Sequence, residues 1–196
     1  SGYFRSPSRY LPWTSWSAVT ETGMALQILS RLGALNRANL TKISTYIKSC
    51  QLVDGFVRYL GDNSKSITNT YWALIALNLT GSIDNINKTG AMSYVLSCQN
   101  TNPLDAANYG GFADSPGGAS HASYTYLALR SLETLGATNA VGHAIVENWL
   151  MGGYVASKGI FYDEHVSFKR YLVNCGTGYS MASLSLLGKL SRTNQS

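Results

Sequence analysis

The chain repeats itself. Cys50-Gln51 recurs as Cys98-Gln99, 48 residues later, and in the same register Ile47-Lys48-Ser49 matches Val95-Leu96-Ser97. Apolar runs ending in glycine recur too: Ala25-Leu26…Leu29…Gly33, Ala73-Leu74…Leu77…Gly81, Ala128-Leu129…Leu132…Gly136 and, more loosely, Leu184…Gly188. Those glycines stand 48, 55 and 52 residues apart. A turn precedes three of the runs, at Asp54-Gly55-Phe56, Gly110-Gly111-Phe112 and Gly159-Ile160-Phe161. Self-similarity at such a period means that one supersecondary unit stacks on copies of itself, because no single copy can bury its own apolar face. Four imperfect copies, at 15–51, 52–99, 100–151 and 152–191, are expected within a single domain 1–196.

Each copy reads as two helices. The first, for example Thr70–Thr80, is apolar nearly all round and ends at a glycine suited to a left-handed C-terminal cap. The second, Leu40–Cys50, is amphipathic, with Leu40, Ile43, Ile47 and Cys50 on one stripe; Val141, Ile145 and Trp149 repeat that spacing in the third copy. A helix apolar on every side must be surrounded by protein, whereas a one-stripe helix lies outside. Alternating the two gives an inner and an outer ring, an all-α fold of the α/α-toroid kind. An open solenoid of the same pairs is the rival arrangement. Strand signals are few: Phe56–Leu60 is a short extended piece without an alternating partner.

Composition narrows the functional classes. Hydrophobic residues make up 45% of the 196, enough for a core, and no apolar run reaches the roughly 20 residues of a membrane span. Charged residues are only 13%, with a net charge of +5. The basic residues are scattered rather than interleaved with aromatics, so no nucleic-acid partner is expected. Cys50, Cys98 and Cys175 are an odd set without Cys-x-x-Cys spacing, which speaks against a disulfide scaffold and a structural zinc site. Unpaired cysteines favour a cytoplasmic setting and leave secretion open. The sequons at Asn39, Asn78, Asn87 and Asn194 are what so much Ser and Thr produces by chance.

The segment Tyr109-Gly110-Gly111-Phe112-Ala113-Asp114-Ser115-Pro116-Gly117-Gly118-Ala119-Ser120-His121, then Tyr124-Thr125-Tyr126-x-Ala128-Leu129 and Gly136, resembles the repeat of protein prenyltransferase β subunits. Cys-Gln ahead of Asp-Gly-Phe is similar to that family and to the wider terpenoid-cyclase superfamily. The resemblance runs from about Trp16 to Gly188. It implies an α/α toroid and the transfer of an isoprenoid from its diphosphate to a protein cysteine. That chemistry needs an apolar funnel, here offered by Tyr71, Trp72, Tyr124, Tyr126 and Tyr179 near the inner-helix starts. It also needs donors for the departing diphosphate, and zinc to hold the acceptor thiolate.

The resemblance places His121, Tyr179 and Arg170 at diphosphate-contacting positions. Lys169 is beside Arg170, while a second cation of the family falls on Val173. Without that role, His121 reads as a polar helix cap, Tyr179 as an inner-ring aromatic and Arg170 as a loop charge; Thr125 also reads as a cap. The family's Asp-x-Cys zinc ligands fall on Gly176 and Gly178. Cys175 is three residues out of register, His165 is the other weak candidate, and the third ligand would lie beyond Ser196. No cofactor is therefore assigned, because the ligands that zinc would need are poorly matched. No Asp-x-Asp-Asp acid and no Gly-x-Ser-x-Gly occur, which argues against cyclase and hydrolase chemistry.

Two functions follow as expectations. One is a prenyltransferase β-subunit-like protein that binds an isoprenoid diphosphate and transfers the lipid to a protein cysteine. The other is a non-catalytic toroid that binds an apolar ligand or a protein. Three helix pairs and a final helix fall short of a closed ring. The chain is thus expected to be part of a longer one, to self-associate, or to meet a protein partner.

Overall fold

The computed structural model describes residues 2–4, 17–162 and 173–194. It divides into two compact units, residues 1–94 and 95–196. Unit 1 holds α1 (Ala18–Arg31), α2 (Leu40–Ser49), α3 (Ile67–Leu79) and most of α4 (Lys88–Ser97). Unit 2 holds α5 (Ala122–Thr134), α6 (His143–Gly152), the two-residue strands β1 (Tyr154–Val155) and β2 (Ile160–Phe161), and α7 (Val173–Leu186). α1 packs on α3, and α5 packs on α7.

The two helix types are present. α3 buries Ile67, Tyr71, Ala73, Leu74, Ile75, Ala76 and Leu77, nearly its whole circumference. It begins three residues before Thr70, because the Ser66 side chain accepts from the Asn69 N–H and caps it there. α2 is one-sided: Ile43, Ile47 and Cys50 are buried and Asn39 caps its start. Among the described residues, no helix is long and apolar enough to cross a membrane.

All four first-type helices stop in the same way. Gly33, Gly81, Gly136 and Gly188 have φ of 65°, 66°, 70° and 69°. The N–H of the following residue reaches back over the turn to Leu29, Leu77, Leu132 and Leu184 O, each at 2.8 Å. This is a Schellman closure, and it needs a residue without a Cβ penalty at positive φ.

A second recurrence ties each turn to its helix. The Phe56 N–H donates to Thr70 Oγ1 at 3.2 Å, Phe112 to Thr125 at 3.0 Å, and Phe161 to Thr177 at 3.1 Å. Phe4 donates to Thr22 at 3.0 Å, which makes Gly2-Tyr3-Phe4 a fourth turn. Thr125 is therefore not a cap: it is fully buried inside the first turns of α5 and holds a backbone donor that no other element reaches. The turns also pair with the ends of the second helices. Gln51 bridges Phe56, Gln99 bridges Phe112, and Tyr154 pairs with Phe161 as β1 and β2. Phe56 and Val57, expected to lack a partner, bridge Gln51 and Lys65.

The Cys-Gln pairs are part of this joint. Cys50 O accepts from Val57 N–H at 3.1 Å and Cys98 O from Ala113 N–H at 3.0 Å. Both thiols are buried, and burial pushes the Cys50 thiol up, so it stays protonated and unreactive. Asp62 anchors the loop before α3. Its carboxylate takes the Arg58 guanidinium at 2.8 Å and the Asn63 and Ser64 N–H groups, and the Arg58 bond holds it down at about 2.

α6 departs from the expected stripe. The helix starts at His143, after Val141, and buries Val146, Glu147 and Leu150. Ile145 is 38% exposed, and with Trp149 it flanks the Gly110-Gly111 turn instead of the core. A spacing rule cannot anticipate a turn that docks on the side of a helix.

Candidate functional site

His121 stands at the end of a loop that hydrogen bonds hold at almost every residue. Asn100 Nδ2 donates to Gly118 O at 3.0 Å and to Ser120 Oγ at 2.8 Å. The Ser120 N–H donates to Asn108 Oδ1 at 2.7 Å, and its hydroxyl donates to Asn108 O at 2.8 Å. The His121 N–H then donates to Phe112 O at 3.0 Å. Gly111 lies flat against Trp149, whose Nε1 donates to Ala107 O at 2.9 Å. Ser120 is fully buried, so this polar set is satisfied internally rather than by solvent.

His121 is the N-cap residue of α5, in extended conformation, but its side chain makes no capping bond. The imidazole instead packs edge-on against Tyr124, with ring centroids 5.4 Å apart and planes at 87°. Tyr179, on α7, is 37% exposed, and its ring leans on Tyr126 at 5.6 Å. Thr125 and Thr177 hold their helices in equivalent ways, so Tyr126 and Tyr179 meet at matching heights. The starts of α5 and α7 are therefore level at one rim. No acidic side chain occupies the first turn of either helix, and the partial positive charge of these N-termini is not offset there. Thus His121 and Tyr179 are carried on two packed helices, His121 against Tyr124 and Tyr179 against Tyr126.

Arg170, Lys169 and His165 lie outside the described residues. Cys175 is on α7, and its side chain is not among those described. Gly176 and Gly178 offer no donor atom, and among the described residues no three His, Cys, Asp or Glu side chains gather as a metal site. The residues described do not fit zinc.

Asn100, Asn108 and Ser120 position His121, and sequence reasoning missed them. One signal was available: Asn100 follows Cys98-Gln99 where the preceding copy has Leu52, and a polar residue replacing an apolar one in a repeat has a bond to make. A cleft of about 180 Å³ opens beside the rim, lined by Ala122, Trp149, Leu150, Tyr162 and Ser180 among others. It is smaller than the roughly 300–1,000 Å³ of ligand pockets and holds no isoprenoid by itself.

Residues 1–161 match the prenyltransferase alpha-alpha toroid domain. Among solved structures, the chain is similar to Candida albicans protein geranylgeranyltransferase-I complexed with GGPP, with a TM-score of 0.69 and 21% sequence identity. That likeness, which is one of fold, covers 94% of this chain and 57% of the other, so this chain spans a little over half of the solved relative's length. No curated protein matches the sequence. The alternation of enclosed and one-sided helices is thus the α/α toroid rather than an open solenoid, and the chain belongs to the prenyltransferase alpha-alpha toroid domain family.

Proposed function

We propose that the rim at the starts of α5 and α7 binds the diphosphate of an isoprenoid diphosphate, and that the chain serves transfer of the lipid to a protein cysteine. The observation that carries the reading is His121. Its backbone is fixed by the Asn100–Asn108–Ser120 set, yet its imidazole is not used to cap the helix it begins. An imidazole at the start of a helix whose first turn carries no acidic side chain is suited to donate to an anion there. The Tyr179 hydroxyl supplies a second donor across the rim, and Arg170 with Lys169 supplies cations from the segment before α7. The Tyr126–Tyr179 pair gives the first carbons of the lipid an apolar wall.

In the transfer, the acceptor thiolate forms a bond to the first carbon of the isoprenoid, and the carbon–oxygen bond to the diphosphate breaks. The donors named above stabilise the charge that develops on the leaving oxygen. GGPP in the solved relative supports this ligand class.

The experiment is a titration of tryptophan fluorescence with geranylgeranyl diphosphate. His121→Ala is expected to weaken binding about tenfold, or 1.4 kcal/mol, with the helical circular dichroism unchanged. Equal affinity of variant and parent would remove His121 from the site. A second reading, a toroid that binds without transferring, is favoured by Gly176 and Gly178 at the positions of the family's zinc ligands. Under it, the purified protein binds the diphosphate but carries no stoichiometric zinc and alkylates no cysteine peptide.

A further inference from the structure

The surface of α5 changes character one turn below the rim. Thr125, Ala128 and Leu132 are fully buried and mark the packed side of the helix. At 100° per residue Arg130 and Glu133 lie within about 40° of Tyr126, on the other side. Arg130 stands one turn, about 6 Å, below Tyr126, and Glu133 about two turns below it. Arg130 Nη1 donates to the Glu133 carboxylate, and the two side chains are 32% and 46% exposed.

The neighbouring helix turns polar at the same depth. α7 packs on α5, and Ser183, fully buried, stands one turn below Tyr179. Arg130 Nε and Ser183 Oγ are both enclosed without a hydrogen-bond partner. Elsewhere in the repeat this level is apolar. Counted from the threonine that holds the turn, Arg130 takes the place of Ile75 on α3, Ser183 that of Ala76 and Glu133 that of Asn78; Ile75 and Ala76 are both buried.

We propose that Arg130, with Glu133 and Ser183, ends the apolar wall that begins at Tyr126 and Tyr179, so that the site selects a short isoprenoid diphosphate. The inference rests on the reading of the rim as a diphosphate site. Carbon laid on the two tyrosine rings exchanges water for apolar surface. Carbon laid one turn deeper strips water from a guanidinium and a carboxylate, and that loss offsets the gain. An extended isoprene unit covers about 5 Å at ordinary carbon–carbon lengths. The second unit therefore reaches Arg130, and units beyond it add no affinity.

The test is calorimetric titration of the whole chain with geranyl, farnesyl and geranylgeranyl diphosphate. The three dissociation constants are expected to agree within about threefold, whereas a unit buried on an apolar wall raises affinity about tenfold or more. Arg130→Ile with Glu133→Asn gives α5 the residues of α3. This variant is expected to bind geranylgeranyl diphosphate at least about tenfold more tightly than geranyl diphosphate, with unchanged helical circular dichroism. Arg130→Met with Glu133→Gln, which keeps both side-chain lengths, makes the same comparison if the first variant loses helix. Affinity that climbs about tenfold with each unit in the parent, or folded variants that gain nothing from the longer chain, overturns the role of Arg130 and leaves the rim standing. Binding of none of the three diphosphates overturns both readings.

Discussion

Thr125→Val is expected to lower stability by about 2 kcal/mol, although it exchanges one oxygen for a methyl group of similar size. Thr125 is fully buried and its Oγ1 is the acceptor for the Phe112 N–H at 3.0 Å. Valine leaves that donor enclosed without a partner, and a buried unsatisfied amide costs about 1–3 kcal/mol. For a chain of this length the melting temperature falls by roughly 4–8 °C. Thr125→Ser keeps the oxygen and is expected to recover most of the loss. Urea denaturation of the three proteins checks this. A valine variant as stable as the parent would mean that Phe112 finds another acceptor, and that the Phe–Thr bonds do not hold turns to helices.

Gly111→Ala is expected to cost about 2–3 kcal/mol by overpacking. An added Cβ would lie 2.6 Å from Ser120 Cβ and 2.6 Å from Trp149 Cε2. Neither neighbour yields readily: the Ser120 hydroxyl and amide are both bonded to Asn108, and the Trp149 indole is tied to Ala107 O. Gly136→Ala offers the contrast, because nothing lies within 4 Å of its added Cβ and only the positive φ of 70° opposes the change. About 1 kcal/mol is expected there. Two glycines of one repeat are thus required for different reasons, one for space and one for backbone conformation. A double-mutant cycle with Trp149→Ala separates them: the Gly111→Ala cost should shrink in that background, and the Gly136→Ala cost should not. A Gly111 cost unchanged by removal of the indole would contradict the contact.

The features legible in the sequence were those that recur at a fixed offset. The C-terminal glycines Gly33, Gly81, Gly136 and Gly188 could be aligned because the Schellman closure fixes their distance from the preceding leucine. Cys50-Gln51 and Cys98-Gln99 could be aligned for the same reason, as ends of second helices that bridge the next turn. The Phe–Thr bonds are equally regular in space but were hidden, since the partners stand 18, 14, 13 and 16 residues apart in sequence. No periodicity survives that variation. The stripe Val141–Ile145–Trp149 obeyed helical spacing but is only partly buried, because Ile145 and Trp149 serve the Gly110-Gly111 turn. The resemblance alone pointed to His121, and its role at the rim is a proposal. The residues that hold it, Asn100 and Asn108, act from a loop whose bonds depend on the folded path rather than on any local pattern.

The most direct test of the central claim, a rim that recognises diphosphate on this toroid, is calorimetric titration of the parent chain with geranylgeranyl diphosphate and, separately, with geranylgeraniol. Saturable micromolar binding of the diphosphate is expected, with the alcohol at least tenfold weaker, a difference of about 1.4 kcal/mol or more. Equal affinity for the two, or no binding of either by a folded chain, would contradict it.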